Sequence, residues 1–338
     1  MLITREDIQG KMYSSPILSE YFEDLSMVVA DIETTGLSPK NSIVMLGGVV
    51  AERDANRRAA QIFAASEEEE KELLERYIKW LSHFDIVITY NGQSFDLPFI
   101  RKRLIHHGLN TFELDRLYSL DLYRVVKYHS FLPELLTDLK QKSVEIYLGD
   151  SSARTDKIGG AENIKLYDSY KHSSGAEQEN ALSQILLHNR DDIVRLSDML
   201  RLLQNLDFHE IMHGEGFPLR IGDVLLHVEK PKLKSGLMFV GGKIYGATKD
   251  IHIFLESIEF KLDIQKRSFE LKVELKELES LALADTEALE FEPRMFDNTG
   301  GWASGYLVLK DDDGIRYQEV NLIIRLILQR IFGANKFF

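Results

Sequence analysis

The chain has 338 residues, 44% hydrophobic and 28% charged, which suits a soluble globular protein large enough for two domains. It has no cysteine, which excludes disulfides, thiolate zinc sites and cysteine nucleophiles and fits a reducing cytoplasm. The formal net charge of −13 excludes a uniformly basic phosphate-binding surface, although an acidic metal site would itself add negative charge.

Met1 to Asp7 carries charges where a signal peptide needs an apolar core, and no uncharged apolar run reaches the ~18 residues that span a bilayer. A cytoplasmic protein with no membrane contact is expected. Residues 27–32, 43–51 and 59–65 read as three strands joined by polar turns at 38–41 and 53–56, so they should be antiparallel neighbours. A helix should follow, with Ser66 and Glu69 as a capping box and Leu73, Leu74, Tyr77, Ile78, Leu81 and Phe84 on one face. The run Glu67 to Glu70 then reads as the start of that helix. Residues 85–90 form a buried strand, 91–94 a turn, and Pro98 opens a second helix to about His107. Within it, Arg101, Lys102 and Arg103 with His106 and His107 make a basic cluster that is either a phosphate contact or a solvated helix face. Residues 119–122 read as a short strand before more helix. Residues 149–160 read as a Gly/Ser loop that lacks the ending of a P-loop.

A long helix is expected over 176–203. The texture changes after Asp207, which places a boundary near 205–218. Beyond it, 258–264 and 269–275 alternate strictly and form a hairpin, and 306–310 is another strand. Asp311, Asp312, Asp313 and Gly314 form a solvated turn without EF-hand spacing. Val320, Ile323, Ile324, Ile327, Leu328 and Ile331 mark an amphipathic helix. The fold class is therefore α/β: a ribonuclease H-like mixed sheet flanked by helices over 1–205, then a smaller antiparallel β-rich (α+β) accessory domain over 206–338.

Three segments carry the chemistry. Asp31 and Glu33 are i and i+2 on the first strand, so their carboxylates project from one face. Two such acids are tolerated together around a divalent cation, since hard oxygen ligands suit Mg²⁺ or Mn²⁺; alone, the pair reads as two solvated acids at a strand end, and the segments further along the chain reverse that reading. Asp96 follows the 85–90 strand and is by itself a plausible helix N-cap. His188 and Asp192 are i and i+4 on the long helix, a spacing that also gives an ordinary surface hydrogen bond. Asp192 is preferred to its neighbour Asp191 because it keeps the one-turn spacing to His188.

Together the segments Asp31-Ile32-Glu33-Thr34-Thr35-Gly36, Asn91-Gly92-Gln93-Ser94-Phe95-Asp96 and His188-Asn189-Arg190-Asp191-Asp192 resemble the DEDD superfamily of metal-dependent 3′→5′ exonucleases. The branch most similar is YprB-like, with a His-Asn-Arg-x-Asp ending, and the resemblance spans about residues 25–203. It implies two divalent ions, Mg²⁺ or Mn²⁺, on Asp31, Glu33, Asp96 and Asp192, with His188 as general base. It also implies that Thr34, Thr35, Gly36, Leu37 and Asn91 meet the terminal nucleotide of single-stranded DNA or RNA; for Asn91 a structural turn is the equal alternative. One departure stands out: members with a His base usually place four residues before the last Asp, and here three intervene. The rival readings are a non-catalytic nucleic-acid-binding protein that keeps the fold, and a protein that recruits a partner through 206–338.

Overall fold

The computed structural model describes residues 1–149 and 160–333; the part of the expected loop from 150 to 159 lies outside the described residues. The chain divides into two compact units, Met1–Ser15 with Leu25–Leu206, and Pro16–Asp24 with Asp207–Phe338. The sequence reading kept 16–24 with the first unit. In the structure Tyr21 instead packs among residues of the second, where its hydroxyl lies 2.8 Å from His209 Nδ1 and accepts from Asn321 Nδ2 at 2.9 Å.

The first unit is built on a six-stranded mixed sheet. Its strands are β1 (Leu2–Ile8), β2 (Met27–Thr34), β3 (Val44–Arg53), β4 (Asn56–Phe63), β5 (Ile86–Thr89) and β6 (Tyr118–Asp121), in the order β1-β4-β3-β2-β5-β6. Strands β1 to β4 pair antiparallel, while β5 and β6 run parallel to β2. The parallel pairs require helical crossovers, and the chain supplies α1 (Glu70–Leu81) and α2 (Asp96–His106). After β6 come α3 (Leu122–His129), α4 (Gln141–Tyr147), α5 (Gly160–His172) and α6 (Ala176–Met199). One sheet face buries Val28, Ala30 and Ile32 against Leu73, Tyr77, Leu81 and Phe99 of α1 and α2. The other packs Met45 and Phe63 against Tyr167 and Ile185 of α5 and α6.

Several local expectations need correction. β1 has no alternating apolar signal, because Arg5, Glu6 and Asp7 are exposed on a sheet edge, where charge discourages further pairing. The long helix ends at Met199 and continues as a 3₁₀ stretch, Leu200–Asn205. No capping box forms before α1. The Ser66 side chain makes no cap bond, Glu69 accepts from the Ala65 N–H at 2.7 Å, and Glu67–Glu69 is a 3₁₀ turn. Glu70 begins the helix, as expected, and is fully buried. Its carboxylate accepts from Arg103 Nε at 2.9 Å and Nη2 at 2.5 Å and from the Val44 N–H at 2.8 Å, and lies 2.7 Å from His107 Nε2. Burial alone would raise the Glu70 pKa, but Arg103, His107 and the Val44 amide outweigh it and hold it low. The basic cluster is therefore divided: Arg103 is structural, Arg101 pairs with Asp115, and Lys102 is exposed.

The second unit holds two antiparallel sheets where the sequence indicated one. The first has the order Ile251–Leu255, Ile258–Asp263, Ser268–Glu274, Leu237–Tyr245, Val224–Val228, Phe217–Ile221, with Lys232–Lys234 beside the fourth. Its hairpin has Asp263 opposite Ser268, next to the turn that the sequence suggested. The second sheet has the order Lys276–Leu278, Leu281–Asp285, Tyr306–Asp311, Trp302–Ala303, with Gly314–Ile315 paired to the third. The closing helix, Tyr317–Gly333, buries Val320, Ile323, Ile324, Ile327 and Leu328. Among the described residues no helix is long and apolar enough to cross a membrane.

Removing Arg103 leaves the Glu70 charge buried without its main partner. Arg103→Ala should therefore cost about 3–5 kcal/mol in urea unfolding, whereas Lys102→Ala should change stability by less than about 0.5 kcal/mol. Equal, small effects would return the whole cluster to the solvated surface.

Candidate metal centre

Strand β2 delivers its alternate residues to opposite faces, so Ile32 enters the core while Asp31 and Glu33 turn toward α6. A register shift between Glu33 and Thr34 bulges the strand at its end; such bulges re-aim side chains. On α6, His188 Nε2 lies 3.7 Å from Glu33 Oε1 and 3.5 Å from Asp192 Oδ2. Glu33, His188 and Asp192 each offer a ligand atom, all within 4.8 Å of one another. Asp191 turns elsewhere and pairs with Arg190 at 3.1 Å.

Asp96 is not an N-cap. Phe95 holds that position, and Asp96 is the first residue of α2. Its carboxylate accepts from the Ile32 N–H at 3.2 Å, between Asp31 and Glu33, which ties α2 to the acidic end of β2. The four acids thus come from one strand and two helices into mutual electrostatic reach. Burial, then the charges of Asp96, Glu33 and Asp192, raise the Asp31 pKa well above the usual carboxylate range. Burial lifts Glu33 to about 7 against the opposing pull of His188, with Asp192 pushing further up. Asp96 also reaches about 7 by burial, opposed by the amide hydrogen bonds it accepts.

Residues to which the sequence assigns no role support this group. Asn189, fully buried, donates from Nδ2 to Asp31 Oδ2 at 2.9 Å. Its Oδ1 accepts from Gln61 Nε2 at 2.9 Å, and Gln61 Oε1 accepts from Thr4 Oγ1 at 3.2 Å on the edge strand. Gly48 makes room, since a Cβ there would sit 2.1 Å from Asn189 Oδ1; on the other face a Cβ at Gly47 would sit 2.7 Å from the Tyr77 ring. Two adjacent glycines inside a strand were the available signal, because they mark close approach. Asn163 on α5 is fully buried against Glu33 and draws its pKa down, yet neither amide atom has a well-aligned hydrogen-bond partner. Nothing in the local sequence pattern marks Asn163.

The residues proposed to meet a nucleotide divide into two kinds. The Thr34 hydroxyl donates to the Gly36 carbonyl at 2.9 Å, and Thr35 exchanges bonds with Ile43, its Oγ1 accepting from Ile43 N–H at 3.0 Å. Both hydroxyls are used inside the turn. Leu37 is 84% exposed and Asn91 is exposed, at a positive φ of 65°. Asp121 fixes the Asn91 loop, accepting from Asn91 N–H at 2.7 Å and Gln93 N–H at 3.0 Å, and it caps α3 through Tyr123 N–H at 3.0 Å.

Residues 28–204, just over half of the chain, match the family model described as RNase_H superfamily. The chain belongs to the RNase H superfamily. It is similar over 41 residues, at 39% identity, to a DNA polymerase of Methanocaldococcus jannaschii, covering 12% of this chain and 2% of the polymerase. An alignment of 81 residues at 37% identity to a catalytic subunit of DNA polymerase epsilon from Arabidopsis thaliana covers 18% of this chain and 4% of that one. This RNase H superfamily chain thus spans only a few per cent of those relatives. The family B DNA polymerase of the hyperthermophilic archaeon Pyrobaculum calidifontis aligns at 18% identity and TM-score 0.40, over 52% of this chain and 24% of the polymerase.

The carboxylates fit a hard divalent cation: Glu33 and Asp192 meet beside the His188 imidazole, and Asp31 and Asp96 lie outside that close group but in electrostatic reach of it. The raised pKa values describe the same carboxyls without a counter-charge. The sign of the pH effect follows. Between the unfolded values of 3.8–4.5 and about 7, the folded state holds protons that the unfolded chain has released. Metal-free stability should therefore fall as pH rises through that window. In EDTA, Glu33→Gln should flatten the decline in Tm between pH 5 and 8, and Asp31→Ala should melt higher than wild type at pH 8. Mn²⁺ should raise the wild-type Tm most at the alkaline end. Parallel wild-type and variant pH profiles would contradict the clustering.

Proposed function

We propose that this protein is a metal-dependent nuclease of the DEDD type, a 3′→5′ exonuclease on single-stranded DNA or RNA, most similar to the YprB-like branch. The observation that carries the reading is the meeting of Glu33, His188 and Asp192 within 4.8 Å, with Asp31 and Asp96 in electrostatic contact with them. Membership of the RNase H superfamily supports it. The first unit would hold the chemistry. Residues 206–338, which carry no comparable acidic group among those described, would tune substrate or partner choice.

Asp31, Glu33, Asp96 and Asp192 would hold two Mg²⁺ or Mn²⁺ ions, which supply water activation and neutralise charge on the leaving oxygen. His188 would take the proton. Its Nε2 faces both Glu33 and Asp192, so an imidazolium formed there would be stabilised by two carboxylates. The water oxygen forms the new bond to phosphorus, the P–O3′ bond breaks, the water proton goes to His188 Nε2, and the 3′ oxygen is protonated from solvent. The product is a nucleoside 5′-monophosphate. Asn189 is a positioning residue, since it fixes the rotamer of Asp31. The three-residue gap between His188 and Asp192 suits one helical turn and brings both side chains to Glu33.

The test uses full-length protein with 5′-labelled DNA and RNA oligomers and Mn²⁺. A ladder descending one nucleotide at a time is expected, with none in EDTA. Asp192→Ala should abolish it, and His188→Ala should lose about two to four orders of magnitude in rate while keeping a Mn²⁺-dependent rise in Tm. Internal fragments without a ladder, or equal cleavage in EDTA, would overturn the reading.

A further inference from the structure

Beside the metal centre lies a depression of about 490 Å³ lined by Tyr90, Asn91, Tyr123, Leu139, Lys140 and Gln141. Four hydrogen bonds fix its position. Gln141 Nε2 donates to the Asp192 carbonyl at 3.0 Å, joining the wall to the helix turn that carries His188 and Asp192. Asp121 staples the Asn91 loop to the start of α3, beneath Tyr123. Tyr90 donates its hydroxyl to the Leu139 carbonyl at 2.5 Å, which holds its ring in a T-shaped pair with that of Tyr123, centroids 5.9 Å apart.

The exposed face of α3 continues this depression in a repeating chemistry. Tyr123 and Lys127 are i and i+4, as are Arg124 and Tyr128, so rings and cations alternate on one side of the helix. The Lys127 ammonium lies 5.8 Å from the Tyr123 centroid and 4.9 Å from that of Tyr128, and the Arg124 guanidinium lies 5.2 Å from Tyr128. Tyr128 and the following Phe131 are 53% and 56% exposed. In a chain of net charge −13, this is a local concentration of cations and accessible rings. Unpaired bases stack on such rings, whereas bases within a duplex present no free face, and Lys and Arg meet the phosphates between them.

We infer that the depression and the outer face of α3 form a track for single-stranded nucleic acid, with a base against Tyr123 and the phosphates along Lys127 and Lys140. This rests on the nuclease reading above for the direction of the strand, but binding itself can be read without hydrolysis.

The experiment measures Kd by fluorescence anisotropy for a fluorescein-labelled single-stranded 10-mer in Ca²⁺, with full-length protein. Tyr123→Ala should weaken binding about tenfold or more, and Tyr123→Trp should restore it, because stacking needs only a π-face. Lys127→Ala with Lys140→Ala, both exposed positions, should reduce the salt slope of log K by about 1.4, the loss of two phosphate contacts to a single strand. A Mn²⁺-induced rise in Tm that matches wild type shows that each variant is folded with its metal centre formed. A blunt duplex of the same length should compete poorly. Variants that bind like wild type, a wild type that binds no strand, or duplex competing equally would each overturn the track. Tight binding that depends on Tyr123 but occurs without cleavage in Mn²⁺ would uphold the track and overturn the nuclease reading. Cleavage with unchanged binding in the variants would do the reverse.

Discussion

Gathering four carboxylates at one end of a sheet opposes folding. Two full charges at the 4.8 Å that bounds Glu33 and Asp192 repel by about 3–4 kcal/mol at an effective dielectric near 20. The fold accepts this because every one of the four acids has a favourable contact. Asp96 is held by the Ile32 amide, Asp31 by Asn189, and Glu33 and Asp192 both face His188. The raised pKa values of Asp31, Glu33 and Asp96 are the remaining strain, and a bound cation would remove it. The same strain gives the nuclease reading its energetic basis, since a ligand that binds only the folded arrangement stabilises it.

The supports reach far from the acids. A hydrogen-bond chain runs from Thr4 on the edge strand through Gln61 and Asn189 to Asp31 and crosses the sheet by side chains alone. It exists because Gly48 lacks a Cβ. On the opposite face Gly47 admits the Tyr77 ring, whose hydroxyl donates to the Gly48 carbonyl at 3.0 Å. The two glycines thus serve two faces of one strand, and either substitution would force the sheet and a helix apart. Beyond the acids, the Gln141–Asp192 bond couples the metal helix to the wall of the proposed strand track. Net acidity and nucleic-acid binding are then compatible. The negative charge is partly gathered in the candidate metal centre, and Lys127 and Lys140, the cations that would meet phosphate, lie along the proposed track.

The parts legible in the sequence were those with a short period. Asp31 and Glu33 share a face because strands repeat every two residues, and His188 and Asp192 because helices repeat every 3.6. The hairpin at 258–274 and the closing helix followed from the same patterns. What the sequence concealed depended on partners far along the chain. Nothing near Arg103 shows that it is buried, because its partner Glu70 is 33 residues away. β1 is an edge strand whose charges hide its register. The strand Leu237–Tyr245 carries Gly241 and Gly242, which break the apolar alternation that would have marked it as a neighbour of the 258–274 hairpin. Asn189 sits in the third motif without a role that the sequence assigns, and no sequence pattern marks the helix that carries Asn163; their burial beside carboxylates sets them apart. The α3 face escaped notice because its Tyr and Lys spacing is that of any amphipathic helix.

Asp31, Glu33, Asp96 and Asp192 are proposed to form one divalent-cation centre beside His188. Diffraction from Mn²⁺-soaked crystals, with data collected at the manganese edge, tests it most directly. The account predicts anomalous peaks at the end of β2, bounded by Glu33 and Asp192 and reaching Asp31 and Asp96, and their loss in Asp192→Ala. Manganese held elsewhere on the chain, with no peak among these four carboxylates, would contradict it.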